Sequence, residues 1–128
     1  MHPEDRYYSK EHEWVLMEGD GRALVGITQY AQEQLGDIVF VELLVPGGRI
    51  DQYGKVGEIE SVKAVSDVYS PMAGEVVEVN QELENHPELV NEDPHSKGWL
   101  IRLASVDSAE LENLLAAEAY EGFIAQLE

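Results

Sequence analysis

The sequence predicts one mainly β domain with short flanking helices and a helical C-terminal segment. Before position 104, short apolar stretches rich in valine and isoleucine alternate with glycine, proline, asparagine and aspartate, a pattern typical of strands and turns. After position 107, apolar residues recur at helical spacing. A length of 128 residues with 44% hydrophobic residues fits a single domain with a packed core.

The N-terminal part of the chain predicts a β-hairpin followed by a short helix. Strands are expected over 14–17 and 23–27, because Glu18-Gly19-Asp20-Gly21 between them has the composition of a tight reversal. Thr28 can then cap a brief helix, and Gly36 is placed to end it.

The middle of the chain predicts further strands and a weak internal repeat. The apolar run 38–45 is typical of a strand covered on both faces, and Pro46-Gly47-Gly48 stops it. The segment 36–42 matches 74–80 at most positions, 38 residues later, which fits a β domain with approximate two-fold internal symmetry.

The C-terminal part predicts a connection, a strand and a helix. The stretch 82–97 is interrupted by prolines and asparagines, so we expect an extended surface connection with one helical turn. A final strand is expected over 99–103, and Asp107 or Ser108 can cap the helix that follows. Its first turns place three leucines on one face: Leu111, Leu114 and Leu115. Its later stripe, expected to pack on the β core, consists of Tyr120, Phe123, Ile124 and Leu127.

The charge of the chain excludes several classes of partner. With 26 acidic residues against 8 basic ones, the formal charge is -18, so neither nucleic acid nor anionic membrane binding is expected. Partners with basic docking surfaces are favoured, unless the acidity serves solubility alone. No apolar run approaches the roughly 18 residues of a membrane span. The N-terminus lacks signal-peptide and transit-peptide features, so a soluble protein of the bacterial cytoplasm is expected.

Common catalytic and metal-binding patterns are not found. The chain has no cysteine, which excludes a disulfide framework and a thiol nucleophile. The four histidines lack HxH or HExxH spacing, so no metal site is expected at His2, His12, His86 or His95. A catalytic pair of carboxylates cannot be singled out among 26 acids.

Lys63, one of four lysines, lies where two partly alternating segments meet. The alternation over 56–61 and 65–70 predicts two strands joined at the lysine, although no Asn-Gly or Asp-Gly turn signal is present. Val62 and Ala64 are expected to point inward together, which would force Lys63 outward and fix its base. Such a lysine suits presentation for modification.

The segment around this lysine resembles a known family. Glu60-Ser61-Val62-Lys63-Ala64-Val65-Ser66-Asp67-Val68 is similar to the lipoylation segment of the glycine cleavage system H proteins. Further similar segments follow in the family's order along nearly the whole chain: Lys10-Glu11-His12-Glu13-Trp14-Val15, 25–32, 35–43, 74–80, 89–94, 98–101 and Glu118-Ala119-Tyr120.

The resemblance implies a fold and a modified residue. The fold is a lipoyl-domain-like barrel-sandwich hybrid with C-terminal helices: one H-protein domain over 1–128, a lipoyl-binding core over 22–104 and a helical segment over 107–127. Lys63 is then the lipoyl attachment site. Modifying enzymes of related lipoyl modules look for an acid three residues before the lysine and a glycine eleven after it, positions that hold Glu60 and Gly74. Glu60 would offer an acceptor to the enzyme, and Gly74 would permit a close backbone turn.

The implied function is that of a non-enzymatic lipoyl carrier. In the family, a pyridoxal-phosphate glycine decarboxylase (the P protein) passes an aminomethyl group to the lipoyl disulfide. A tetrahydrofolate-dependent aminomethyltransferase (the T protein) takes it onward, and dihydrolipoyl dehydrogenase (the L protein) reoxidises the dithiol. Lipoate-attaching enzymes are further partners. The tether raises the effective concentration of the arm at each docked active site.

The resemblance also implies a cleft that protects the loaded arm. Glu13 and Asp67 occupy the matching positions, and their carboxylates could hold the cationic amine. Glu11 departs from the family pattern, because members commonly carry a small polar residue there.

Three other functions are alternatives to glycine cleavage. A lipoate relay would carry the same modification but donate its lipoyl group to other carrier domains. A biotin carrier is disfavoured, because that family prefers methionine on both sides of the lysine and this chain has Val62 and Ala64. A plain acidic interaction domain would carry no cofactor at all.

Overall fold

The computed structural model describes residues 2–44 and 46–127 and consists mostly of antiparallel β-structure. The strands are β1 (Tyr7–Tyr8), β2 (Glu13–Gly19), β3 (Arg22–Ile27), β4 (Ile38–Leu43), β5 (Arg49–Ile50), β6 (Lys55–Ser61), β7 (Val65–Tyr69), β8 (Gly74–Val79), β9 (Ile101–Ala104) and β10 (Leu115–Ala116). The α-helices are α1 (Gln29–Leu35), α2 (Glu82–Asn85), α3 (Leu89–Glu92) and α4 (Ala117–Leu127), and a 3₁₀ helix covers Ser108–Asn113. The predicted mainly β class with short helices is confirmed.

Two sheets enclose the main core. One has seven strands in the order β10-β1-β2-β3-β9-β8-β5, and the other has three in the order β4-β6-β7. Every strand pairing is antiparallel. Both sheets contribute buried side chains to one apolar cluster, for example Val25 and Val76 from the larger sheet and Ile59 and Val68 from the smaller one. The sheets therefore pack face to face across this core.

The N-terminal hairpin and helix form as predicted. Strands β2 and β3 pair around Gly19-Asp20-Gly21, where all three residues have positive φ angles, as a tight reversal requires. The Thr28 hydroxyl accepts a hydrogen bond from the backbone N–H of Ala31 at 3.1 Å, which caps α1. Gly36 ends the helix in a conformation with φ 81° and ψ -159° that is nearly exclusive to glycine.

The strand predicted over 38–45 is shorter and more open than expected. β4 ends at Leu43, and Val45 lies outside the described residues. The prediction of burial on both faces is wrong, because Val39 and Phe40 are each 51% exposed. β4 is an edge of the three-stranded sheet, and its register shifts between Ile38 and Phe40. That irregularity turns both side chains to the surface.

The connection over 82–97 is more structured than predicted. It contains two helical turns, α2 and α3, rather than one. Leu83 and Val90 are buried in the main core, so the segment covers the β-structure instead of running over its surface. The following strand begins at Ile101, two residues later than predicted, and β10 comes after it.

The C-terminal segment divides into three parts. Asp107 caps the 3₁₀ helix by accepting a hydrogen bond from Ala109 N–H at 2.9 Å. The expected common face of the three leucines is wrong, because an extended Leu114 ends this helix and separates them. Leu111 packs on the main core, whereas Leu115 packs on a second cluster built on Tyr8, Trp14, Ala117 and Tyr120.

The later stripe of α4 packs largely as predicted. Tyr120 is fully buried, and Phe123 and Ile124 lie against the second cluster, but Leu127 is 52% exposed.

No helix among the described residues is long and apolar enough to cross a membrane.

Candidate functional site

Lys63 lies at the tip of a β-hairpin, as predicted. Strands β6 and β7 pair antiparallel from Lys55 opposite Tyr69 to Glu60 opposite Val65. Residues 62–64 connect the two strands, and the side chain of Lys63 is exposed. Among the described residues, the hairpin therefore presents a lysine amine that forms no ion pair within 4.0 Å.

Ser61 holds the turn of this hairpin. Its backbone N–H donates to Ala64 O at 2.8 Å. Its buried hydroxyl accepts from Ala64 N–H at 3.1 Å and from Lys63 N–H at 3.3 Å, and it also donates to Ala64 O at 3.2 Å. These bonds stabilise the turn in the absence of an Asn-Gly sequence, because a serine side chain can bond to the backbone of the second and third residues after it.

The side chains on either side of Lys63 do not point inward. Val62 is 69% exposed, and Ala64 is exposed as well, so the predicted pinning by two buried neighbours is wrong. In a turn of three residues, the alternation of a strand no longer applies. The base of Lys63 is instead fixed by the backbone hydrogen bonds to Ser61.

The junction between α1 and β4 supports the hairpin from one side. Asp37 O accepts a hydrogen bond from Val62 N–H at 3.0 Å. Gly36 leaves space for the stem of Lys63, because a Cβ atom at Gly36 would lie only 3.2 Å from Lys63 Cε. A side chain at this position would press on the lysine.

A surface cleft of about 290 Å³ brings together Glu13 and Asp67, the two predicted arm-protecting residues. Its walls come from the start of β2, from α1 and from β7. Glu11 lines the same cleft, together with His12, Tyr30 and Ser66. The cleft therefore combines the acidic side chains of Glu11, Glu13 and Asp67 with apolar side chains such as Leu35.

Glu13 is the buried acid of this cleft, with only 2% of its surface exposed. Its carboxylate accepts hydrogen bonds from the Ser9 hydroxyl at 2.5 Å and from Tyr69 N–H at 3.2 Å. Burial raises the pKa of the Glu13 carboxyl to about 8, against the lowering effect of those hydrogen bonds. The group can thus hold or release a proton near neutral pH.

Asp67 is the exposed acid of the cleft. One carboxylate oxygen lies 3.3 Å from the Lys55 amine, and the other accepts from the Tyr69 hydroxyl at 3.4 Å. The two acids differ in setting, since Glu13 is enclosed and Asp67 faces solvent. An amine entering the cleft would meet a fixed carboxyl at its base and a charged carboxylate at its rim.

The two predicted recognition residues lie in different sheets. Glu60 is exposed at the end of β6, opposite Val65 and three residues before Lys63. Gly74 is buried at the start of β8, where a Cβ atom would lie 2.9 Å from Ala104 O and 3.1 Å from the Val106 side chain. Gly74 thus permits close packing of β8 on the end of β9 and on Val106 just after it, rather than the close backbone turn that was expected.

Sequence reasoning missed two serines that build the site. Ser61 orders the turn, and Ser9 orders the Glu13 carboxylate. Because serine is common in turns, where its hydroxyl can bond to the backbone, the role of Ser61 could have been predicted from the sequence. The role of Ser9 could not have been predicted, because its bond to Glu13 depends on a turn in which His12 adopts a φ of 71°.

No group of three or more metal-ligating side chains comes together among residues 2–44 and 46–127.

The chain matches one family model along almost its full length. Residues 6–127 match the model described as glycine cleavage H-protein. The glycine cleavage system H protein of Symbiobacterium thermophilum is 54% identical over 121 residues, which cover 94% of each chain. That of Thermus thermophilus is 54% identical over 119 residues, 93% of this chain and 92% of the relative.

A solved structure shares the fold. The crystal structure of a glycine cleavage system H protein from Mycobacterium marinum superposes with a TM-score of 0.83 at 38% identity, covering 94% of this chain and 96% of the other. The length of these matches and the agreement in fold assign the chain: it belongs to the glycine cleavage H-protein family.

Proposed function

We propose that this chain is a lipoyl carrier of glycine cleavage, with lipoate joined as an amide to the Nζ atom of Lys63. The observation that carries the proposal is the exposed lysine at the tip of an ordered hairpin, in a chain that belongs to the H-protein family. Glu60 and Gly74 serve attachment in different ways. Glu60 faces the modifying enzyme, and Gly74 keeps β8 in place.

The residues at the tip fit a long covalent arm. An attachment site needs an amine that is exposed to solvent and an ordered backbone that carries it. The side chain of Lys63 is exposed, and the hydrogen bonds to the Ser61 hydroxyl order the backbone at Lys63. The absence of a side chain at Gly36 leaves the lysine stem room to lie along the end of α1.

In this proposal, the chain and the cofactor have different tasks. Bound lipoate supplies a strained cyclic disulfide that accepts the aminomethyl group derived from glycine. The chain itself is not an enzyme: it positions the arm and presents it to the glycine decarboxylase, the aminomethyltransferase and dihydrolipoyl dehydrogenase in turn. Tethering to one exposed tip raises the local concentration of the arm at each of these active sites.

The cleft of Glu13 and Asp67 is suited to shelter the amine end of the loaded arm. Burial raises the pKa of the Glu13 carboxyl to about 8, and a cation entering the cleft would favour its charged form. The amine and the carboxylate would then form a charge-assisted hydrogen bond shielded from water. Asp67 at the rim would attract the amine towards the cleft.

Loading of the arm by glycine tests the proposal. The lipoylated chain is incubated with glycine and purified glycine decarboxylase, and aminomethylation is followed by intact mass spectrometry. We expect loading of the wild-type chain and of Lys97→Arg, an exposed lysine away from the hairpin, and none for Lys63→Arg. A lipoylated wild-type chain that glycine never loads would contradict the carrier role and favour the lipoate relay.

A further inference from the structure

One hydroxyl of the C-terminal helix α4 bonds to two parts of the chain that form the Glu13 cleft. Tyr120 is fully buried, and its hydroxyl lies 2.8 Å from His12 Nδ1 and 2.8 Å from the Thr28 hydroxyl. His12 directly precedes Glu13 and lines the cleft. Thr28 caps α1, the helix that forms a second wall of the cleft. One buried tyrosine on α4 therefore joins two walls of the cleft from behind its lining residues.

The three polar groups form a continuous chain of hydrogen bonds. The Thr28 hydroxyl oxygen accepts from Ala31 N–H at 3.1 Å, so its own proton is available to Tyr120. Tyr120 can then donate to His12 Nδ1. Burial lowers the pKa of His12, which favours a neutral ring whose Nδ1 atom accepts. Burial raises the pKa of Tyr120, and the nearby Glu13 adds to this effect, so the hydroxyl keeps its proton.

The backbone at His12 depends on such support. Its φ of 71° lies in the left-handed region, which is costly for most residues that carry a side chain. The turn that contains it brings the Ser9 hydroxyl to the Glu13 carboxylate at 2.5 Å. The His12 carbonyl also accepts from Thr28 N–H at 3.0 Å. Backbone and side-chain bonds thus hold the same two residues together, and Tyr120 supplies the side-chain link.

We propose that Tyr120 is a positioning residue of the cleft: its hydroxyl holds the turn at His12 and the start of α1 in the arrangement that keeps Glu13 enclosed for the amine of the loaded arm. The inference rests on the proposed function. A buried hydroxyl with two partners is costly to remove, because both partners lose a hydrogen bond. The ring of Tyr8 stacks on that of Tyr120 with centroids 4.8 Å apart, so loss of the hydroxyl alone leaves the ring packing in place.

The chemistry of the arm explains why a small movement of these walls matters. An aminomethyl group on sulfur decomposes when its nitrogen lone pair expels the sulfur as a thiolate: the C–S bond breaks, one water is taken up, and thiol, formaldehyde and ammonia result. While the amine is protonated and bonded to the Glu13 carboxylate, that lone pair is not available. Water that enters past a loosened wall weakens the ion pair, because charges attract each other less strongly in water.

The first measurement uses the unmodified chain. Tyr120→Phe removes the hydroxyl, and Tyr8→Phe is the matched control, because Tyr8 is equally buried and its hydroxyl donates to Pro3 O, away from the cleft. The titration of the glutamate side chains is followed by NMR on isotope-labelled protein, and Glu13→Gln identifies the signal. We expect the pKa of Glu13, about 8 in the wild type, to fall by about 1 in Tyr120→Phe and to stay unchanged in Tyr8→Phe.

The second measurement follows the loaded arm. Each chain is lipoylated, loaded with glycine and purified glycine decarboxylase, and separated from the enzyme. Intact mass spectrometry then times the loss of the aminomethyl group, which does not depend on how fast the arm was loaded. We expect Tyr120→Phe to lose the group about tenfold faster than the wild type and Tyr8→Phe. Thr28→Val breaks the same link from α1 and should also lose it faster, whereas Thr28→Ser restores the hydroxyl and should restore the lifetime.

The outcomes separate the role of Tyr120 from the proposed function. A wild-type pKa of Glu13 or a wild-type lifetime in Tyr120→Phe would overturn the positioning role and leave the carrier role standing. Equal effects in Tyr120→Phe and Tyr8→Phe would also overturn it, because they would reflect a general loss of stability. A wild-type chain that glycine never loads would instead overturn the carrier role, and the pKa of Glu13 in the unmodified chain would still decide the role of Tyr120. If Tyr120→Phe does not fold, Thr28→Val against Thr28→Ser decides in the same way.

Discussion

Glu13 shows how one buried residue links folding to the chemistry of the cleft. Its carboxyl is enclosed, bonded to Ser9 and Tyr69, and close to Glu11, whose charge further raises its pKa. A carboxyl in such a place holds its proton more tightly than it does in the unfolded chain. In the proposed carrier, the same property would let the amine cation of the loaded arm take the place of that proton.

The pH dependence of stability should report this carboxyl. Its pKa rises from 4.5 in the unfolded chain to about 8 in the fold. The stability it contributes is therefore complete below pH 4.5 and is lost as the pH rises towards 8. We expect Glu13→Gln, which mimics the protonated form, to unfold with a flatter pH profile in that window.

The comparison has to be made as a difference between two curves. Burial lowers the pKa of His95 to about 4, so the stability due to His95 rises with pH over part of the same range. Subtracting the Glu13→Gln profile from that of the wild type, each from urea unfolding, cancels the histidine contribution. Parallel profiles for the two proteins would show that Glu13 titrates normally.

Gly36 gives a second prediction at the scale of the residue. Its backbone conformation is strained for any other residue, and a Cβ atom there would crowd the Lys63 stem at 3.2 Å. We expect Gly36→Ala to lower the free energy of unfolding by about 1–3 kcal/mol. Gly48→Ala is the control, since a Cβ atom at Gly48 would have no neighbour within 4 Å. Equal losses from both substitutions would count against a special role for Gly36.

At the scale of the element, the β6–β7 hairpin presents Lys63, and the turn of this hairpin depends on Ser61. We expect Ser61→Ala to lower the free energy of unfolding by about 1 kcal/mol and to slow lipoylation of Lys63, because the turn loses its side-chain bonds. Ser96→Ala, at an exposed position after α3, should change neither quantity. Urea unfolding and a lipoylation time course supply the two measurements. A Ser61→Ala variant with wild-type stability and a wild-type rate of lipoylation would show that the backbone alone orders the tip.

Sequence patterns predicted the elements whose cause is local. The Gly19-Asp20-Gly21 reversal, the Thr28 cap and the hairpin at Lys63 all follow from short segments and occur in the structure. The exposure of Phe40 and the burial of Leu83 could not be predicted in this way, because they depend on which sheet face is covered by distant parts of the chain. The meeting of Glu13 and Asp67 in one cleft came from the family resemblance, since the two residues lie far apart in sequence. The division at 22–104 and 107–127 stays a prediction.

At the scale of the whole molecule, charge governs how the carrier meets its partners. The chain has a formal charge of -18, and the proposed amide formation at Lys63 would remove the charge of one of its 8 basic residues. A strongly acidic carrier approaches basic docking surfaces faster at low salt. We expect the KM of glycine decarboxylase for the lipoylated chain to rise several-fold between about 0.05 and about 0.3 M salt, with little change in kcat. A KM that does not respond to salt would contradict electrostatic steering.

The modification of Lys63 is the claim on which the rest depends. The most direct test is peptide mass spectrometry on the chain produced in a host that lipoylates its own proteins, with Lys63→Arg and Lys97→Arg produced alongside. We expect the mass of one lipoyl group on the peptide containing Lys63 in the wild type and in Lys97→Arg, and no such mass in Lys63→Arg. An unmodified wild-type chain, or a lipoyl group on another lysine, would contradict it.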